Sequence, residues 1–177
     1  VDPREYKIAL LGQPHRDVEY LVASACHPKY LEYLEGYNVK LWHVFDGTEE
    51  ARRISPPGEW AITGGCDVGL RTLTMARFLG FQELHVFGID GSAPTTDQGR
   101  HAAEHPNPVK AICTVEYEGR TFNTPPPMVE AARMVWHELD MLPDVKATFY
   151  GDGLVQHMAK SYKPKKLEGK MAVIASF

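Results

Sequence analysis

The chain has 177 residues, 44% of them apolar, 24% charged and 10% aromatic, which is enough for one domain with a sizeable core and unlike a disordered, collagenous or coiled-coil sequence. Lys and Arg total 19 against 23 Asp and Glu, and a net charge of -4 argues against a general nucleic-acid backbone binder. No apolar run approaches the roughly 20 residues that span a bilayer, and no secretory-type start is present, so a cytoplasmic protein without membrane contact is expected.

The three cysteines, Cys26, Cys66 and Cys113, form no C-x-x-C pair, so reduced thiols are expected. The chain begins at Val1 with no Met, and Val1-Asp2-Pro3-Arg4 reads as a strand end, so an upstream part is expected to be missing.

Tyr6 to Leu11 is too short for periodicity to separate strand from helix. Glu19 to Ser24 reads as a buried strand, Pro28 to Glu35 as a short helix closed by Gly36, and Val39 to Val44 as the next strand. Charge and the Pro56-Pro57 pair make 45–58 a loop, after which Glu59 to Thr63 returns as a strand. From Asp67 to Leu79 the apolar positions Leu70, Leu73, Ala76 and Leu79 recur at helical spacing, and Gly80 closes the run.

Glu83 to Phe87 is a strand, followed by a long polar segment from Gly91 to Val109 of the kind that forms a lid or binding loop. Ala111 to Asn123, turning at Glu118-Gly119, reads as a hairpin. Met128 to Leu142 presents Met128, Ala131, Val135, Leu139 and Leu142 on one helical face; Val145 to Tyr150 is a strand, and Leu154 to about Ser161 a helix. Such alternation predicts an α/β, Rossmann-like three-layer domain over 1–161, with a mostly parallel sheet and a β-hairpin insertion or edge. A basic tail with room for a last strand follows over 162–177.

The strongest local signal is Thr63-Gly64-Gly65-Cys66-Asp67-Val68-Gly69, where a strand runs through two glycines into a helix. Unpaired amides and the positive end of the helix dipole suit a phosphate, so Gly64, Gly65, Cys66 and Asp67 are candidate phosphate contacts. A tight turn capped by Asp67, with Gly69 admitting close helix packing, is the plainer alternative. A second strand delivers Asp90 and then Ser92 at its C-terminal end, the edge at which ligands bind in open α/β sheets. Asp90 suits magnesium or a ribose hydroxyl and Ser92 a phosphate oxygen, against the alternative of an Asx turn. Gly151-Asp152-Gly153 repeats the layout, adding Asp152 and Gly153 to the set.

His101 and His105 lie four apart, but Pro106 follows them and no Glu-x-x pattern frames them, so a phosphate-contacting or general acid/base role is favoured over zinc, with solvated loop residues as the plainer alternative. His27, before Pro28, is a further candidate at the same edge. A helix N-terminus lowers a thiol pKa, yet no Cys/His/Asn frame accompanies Cys66, which reads as loop packing. The G-x-S-x-G elbow and the dinucleotide glycine fingerprint are both absent from these residues.

Gly64-Gly65-x-x-Val68-Gly69-Leu70-Arg71, Leu79-Gly80, Gly88-Ile89-Asp90-Gly91-Ser92 and Gly151-Asp152-Gly153-Leu154 together resemble the hydroxymethylpterin diphosphokinase-like family of Rossmann-like proteins. Asp2-Pro3-Arg4 and Tyr20-Leu21-Val22-Ala23-Ser24-x-Cys26-His27-Pro28 look like its bacterial and phage-type members, the likeness running from Val1 to about Met158. The resemblance implies a Rossmann-like fold and, from the archaeal members, magnesium-dependent transfer of a diphosphoryl group from ATP. It also implies an upstream strand with its own glycine-rich loop, and makes Tyr6 to Leu11 a helix. The layout is similar to bacterial sialyltransferases as well.

The resulting expectation is a magnesium-dependent transferase using ATP, a nucleotide sugar or another diphosphate donor. In it the amides of Gly64 to Asp67 cradle a phosphate, Asp90 with Asp2 or Asp152 holds the metal, Ser92 contacts an oxygen, and His101 or His105 assists the acceptor. A nucleotide-sugar glycosyltransferase and a catalytically silent nucleotide-binding or assembly module are the alternatives. A homo-oligomer is compatible with each.

Overall fold

A computed structural model describes residues 3–54, 56–93 and 111–164. Asp2, His101, His105 and the tail from 165 lie outside the described residues, as does most of the expected lid segment. The chain is mixed α/β, with short, mostly parallel sheets and a β-hairpin, and it divides into two compact units at the junction of Thr63 and Gly64.

The first unit opens with a 3-10 helix, Glu5–Leu11. The strand β1 (Glu19–Ala23), the helix α1 (Lys29–Tyr33) and the strand β2 (Asn38–Val44) follow. They lead through helix α2 (Glu49–Ile54) to strand β3 (Trp60–Ile62). The strands form a parallel sheet in the order β1-β2-β3, with Glu19 opposite Asn38 and Trp42 opposite Trp60. Val22, Tyr30 and Leu34 make its small core.

Helix α2 corrects the loop expected over 45–58. The Asp46 carboxylate accepts hydrogen bonds from the Thr48 amide (2.9 Å) and hydroxyl (2.7 Å), and the Thr48 hydroxyl accepts the Ala51 N–H at 3.1 Å. Glu49 and Glu50 occupy the first turn and Arg52 and Arg53 the last, each sign matched to the helix dipole. The prolines that suggested a loop lie beyond its end.

The second unit comprises α3 (Val68–Phe78), β4 (Glu83–Phe87), β5 (Cys113–Tyr117), β6 (Arg120–Thr124), α4 (Pro126–Met141), β7 (Lys146–Tyr150) and α5 (Leu154–Ser161). Strands β4 and β7 pair in parallel, Glu83 opposite Lys146 through Phe87 opposite Tyr150. Strands β5 and β6 are the expected hairpin, forming a two-stranded sheet of their own. Both turn residues, Glu118 (φ 48°) and Gly119 (φ 76°), are left-handed, as the twist of a two-residue hairpin turn demands.

The core joins Leu70 and Leu73 of α3, Ala131, Ala132 and Val135 of α4, Leu154 and Val155 of α5, and Val86, Phe122 and Phe149 of the strands. The observed inner face of α4 departs from the expected one: Glu138 is fully buried, while Met128 and Leu139 are only partly so. No helix among the described residues is long and apolar enough to cross a membrane.

Candidate functional site

The start of α3 and the segment after β4 line one hollow of about 300 Å³. Asp67, Val68 and Gly69 come from the first element, Gly88 to Ala93 from the second, with Pro125, Met128 and Ala131 of α4 and Val155 of α5 closing it. An acidic side chain and a helix start, 23 positions apart in the sequence between Asp67 and Asp90, are thereby brought to one space.

At the start of α3, Asp67 is the N-cap, its Oδ1 accepting the Leu70 N–H at 2.9 Å. That satisfies the third amide of the helix and leaves those of Val68 and Gly69, both lining the hollow, without an acceptor among the described residues. Of the expected Gly64 to Asp67 stretch, only Asp67 lines the hollow. Gly64 and Gly65 turn their carbonyls to the Arg71 guanidinium, at 3.4 and 3.0 Å, so Arg71 braces the glycine turn from one helical turn on. A Cβ at Gly65 would lie 2.6 Å from Leu70 Cβ, so this glycine is required by close packing. Cys66 is exposed, yet partial burial of its thiol and the negative charge of Asp67 push its pKa up, the reverse of what a helix start suggests.

On the other wall Asp90 is exposed, and its Oδ1 accepts a hydrogen bond from Gln156 Nε2 at 2.7 Å. The first amides of α5 are already used: the Leu154 N–H reaches the Ser92 hydroxyl oxygen (3.2 Å) and the Val155 N–H the Asp90 carbonyl (3.0 Å). Ser92 thus caps α5 across the chain. Gly153 lies so close to this segment that a Cβ would be 2.4 Å from the Asp90 carbonyl oxygen.

Asp152 lies outside the hollow's lining. Its carboxylate takes a two-pronged pair from Arg120, 2.7 and 2.8 Å, and stands 2.8 Å from His157 Nε2. The Arg120 guanidinium and then the His157 contact hold its carboxyl far below the usual carboxylate range. Its charge is engaged in linking the hairpin to α5. His27 belongs to the first unit, where its Nδ1 accepts the Lys29 N–H at 3.3 Å.

Sequence reasoning missed Arg71, Gln156 and Glu138. The Glu138 carboxyl is buried between α4 and α3, with Thr74 donating to Oε2 at 3.1 Å and Oε1 unpartnered among the described residues. Burial pushes its pKa from 4.5 up to about 7. A larger cleft, about 500 Å³, lies along the second half of α4, where Tyr162 donates to Asp140 at 2.9 Å and Tyr117 pairs with Ser161.

Among the described residues no three His, Cys, Asp or Glu side chains gather as a metal cage. Asp67 and Asp90, the two carboxylates lining the hollow, each commit one oxygen to a protein donor. Two carboxylates are a donor set that magnesium accepts when phosphate oxygens and water complete its shell. No family model, no curated protein and no solved structure matches the chain.

Proposed function

We propose that the chain is a Rossmann-like, cytoplasmic, magnesium-dependent transferase whose donor is a nucleotide or another diphosphate compound, in keeping with its motif likeness to hydroxymethylpterin diphosphokinase-like proteins. One observation carries the reading: Val68 and Gly69, whose amides have no acceptor among the described residues, and Asp90 line the same hollow. Phosphoryl transfer asks a protein mainly for positioning and charge neutralisation, and amides at a helix start opposite a metal-holding carboxylate supply both. The roughly 300 Å³ available is at the lower end for ligand pockets and suits the diphosphate part of a donor. Magnesium between Asp67, Asp90 and the phosphates would offset the repulsion that two carboxylates otherwise impose on an anion.

A second reading, a silent nucleotide-binding module, draws on the internal duties of the same residues, since Ser92 and the Asp90 carbonyl both cap α5. A thermal-shift panel of ATP, other nucleotides and nucleotide sugars, each with and without magnesium, tests the proposal. A ligand at a hundredfold excess over its Kd stabilises by about 2.7 kcal/mol, or about 5–10 °C in Tm for a chain of this size. Magnesium-dependent stabilisation that disappears in Asp90→Asn supports it; a panel with no shift contradicts it. Turnover of the stabilising donor separates the transferase from the silent module.

A further inference from the structure

Gln156 is fully buried in the first turn of α5, an uncommon place for a side-chain amide. Its Nε2 donates to Asp90 Oδ1 at 2.7 Å and to the Tyr150 carbonyl at 3.2 Å. Both partners are acceptors, so the NH2 end of the amide has only one workable orientation. One side chain therefore joins the carboxylate after β4 to the last residue of β7. Backbone packing reinforces the join, because a Cβ at Gly151 would lie 3.0 Å from Gln156 Nε2 and 3.1 Å from Asp90 Oδ1. The cost is visible too: Gln156 Oε1 is buried and has no partner among the described residues. An apolar side chain would avoid that cost, so the amide is explained by the group it holds.

We infer that Gln156 is a positioning residue for ligand binding: by engaging Asp90 Oδ1 it fixes the carboxylate and leaves Oδ2 as the oxygen offered to a metal in the hollow. This rests on the magnesium reading above. Tying Oδ1 to a rigid helix removes side-chain freedom that Asp90 would otherwise lose on binding. Glu in place of Gln keeps the shape but sets a carboxylate oxygen against Asp90, whereas Leu removes the donor and keeps the apolar bulk.

The experiment uses Mn2+ as the probe, titrated with ATP present and followed by electron paramagnetic resonance, on the intact chain and on Gln156→Leu, Gln156→Glu and Asp90→Asn. Circular dichroism checks that each variant is folded. The side-chain amide resonances of Gln156 are recorded by NMR in the wild type and in Asp90→Ala. Mn2+ binding weakened about tenfold in Gln156→Leu, with the fold retained and the Gln156 resonance displaced by Asp90→Ala, supports the inference. Wild-type affinity in Gln156→Leu alongside loss in Asp90→Asn overturns it while sparing the magnesium reading. An unmoved Gln156 resonance in Asp90→Ala also overturns it, whatever the metal does. A wild-type chain that binds no Mn2+ while that resonance still moves overturns the positioning role together with the magnesium reading, leaving Gln156 as a structural tie. Should Gln156→Leu unfold, Gln156→Glu carries the same comparison.

Discussion

Replacing Glu138 by Gln makes the protein more stable at neutral and alkaline pH. The carboxyl is fully buried, has Thr74 as its single donor among the described residues, and burial lifts its pKa from 4.5 to about 7. An acid whose pKa is raised by folding holds its proton more tightly in the folded chain. Below about pH 4.5 both states are protonated and nothing is lost; between 4.5 and about 7 the unfolded chain ionises first, and stability falls; above 7 the full loss is reached. At about 1.4 kcal/mol for each tenfold difference in proton affinity, the interval amounts to about 3 kcal/mol. Urea denaturation of the wild type and Glu138→Gln at pH 4.5 and pH 8 reads this directly. The variant should gain about 2–3 kcal/mol more at pH 8 than at pH 4.5. An equal difference at both values would show that Glu138 is solvated in the native protein and refute the reasoning.

Gly153→Ala drives a Cβ to 2.4 Å from the Asp90 carbonyl oxygen, so it should cost about 1–3 kcal/mol in chemical denaturation; a neutral result would mean that the α5 start and the Asp90 segment are not in contact. Arg120→Met should return the Asp152 carboxyl toward the ordinary aspartate range, read by carbon NMR titration, and should remove the part of the stability that is present above that range and lost on acidification. Cys66, though exposed, should alkylate with iodoacetamide more slowly at pH 7.5 than a free cysteine, with its rate rising only at higher pH because burial and Asp67 both disfavour the thiolate.

Much of the local structure was legible because its signals are short-range. Strand β4 has the expected ends because an apolar run stops at Gly88, which takes φ 73°, a conformation that glycine adopts readily. The hairpin was readable from Glu118-Gly119, and α3 from its apolar spacing and the Asp67 cap. Helix α2 was missed although Thr48, Glu49 and Glu50 carry a start signal; Pro56 and Pro57 outweighed it, yet a proline ends a helix without preventing one before it.

The site was less legible, since its braces join distant residues. Arg71 reaches back to the Gly65 carbonyl, and Gln156 reaches across 66 positions to Asp90. A weak sign was available in each polar residue on an apolar stripe: Glu138 follows Ala131 and Val135 at helical spacing, and Gln156 directly follows Leu154 and Val155. Periodicity alone assigns such positions to the core or to solvent, and partners separated by dozens of residues appear only when strand ends are brought side by side. The same limit explains why Asp152 joined the candidate ligand set when its nearest charge is Arg120 of the hairpin.

The most direct test of the central claim is a crystal structure of the chain grown with magnesium and ATP, or with a non-hydrolysable analogue. Phosphate density is expected against the Val68 and Gly69 amides, with a metal ion between that phosphate and Asp90. A nucleotide bound with its phosphates elsewhere, or an empty hollow in a crystal whose nucleotide is bound at another surface, would contradict it.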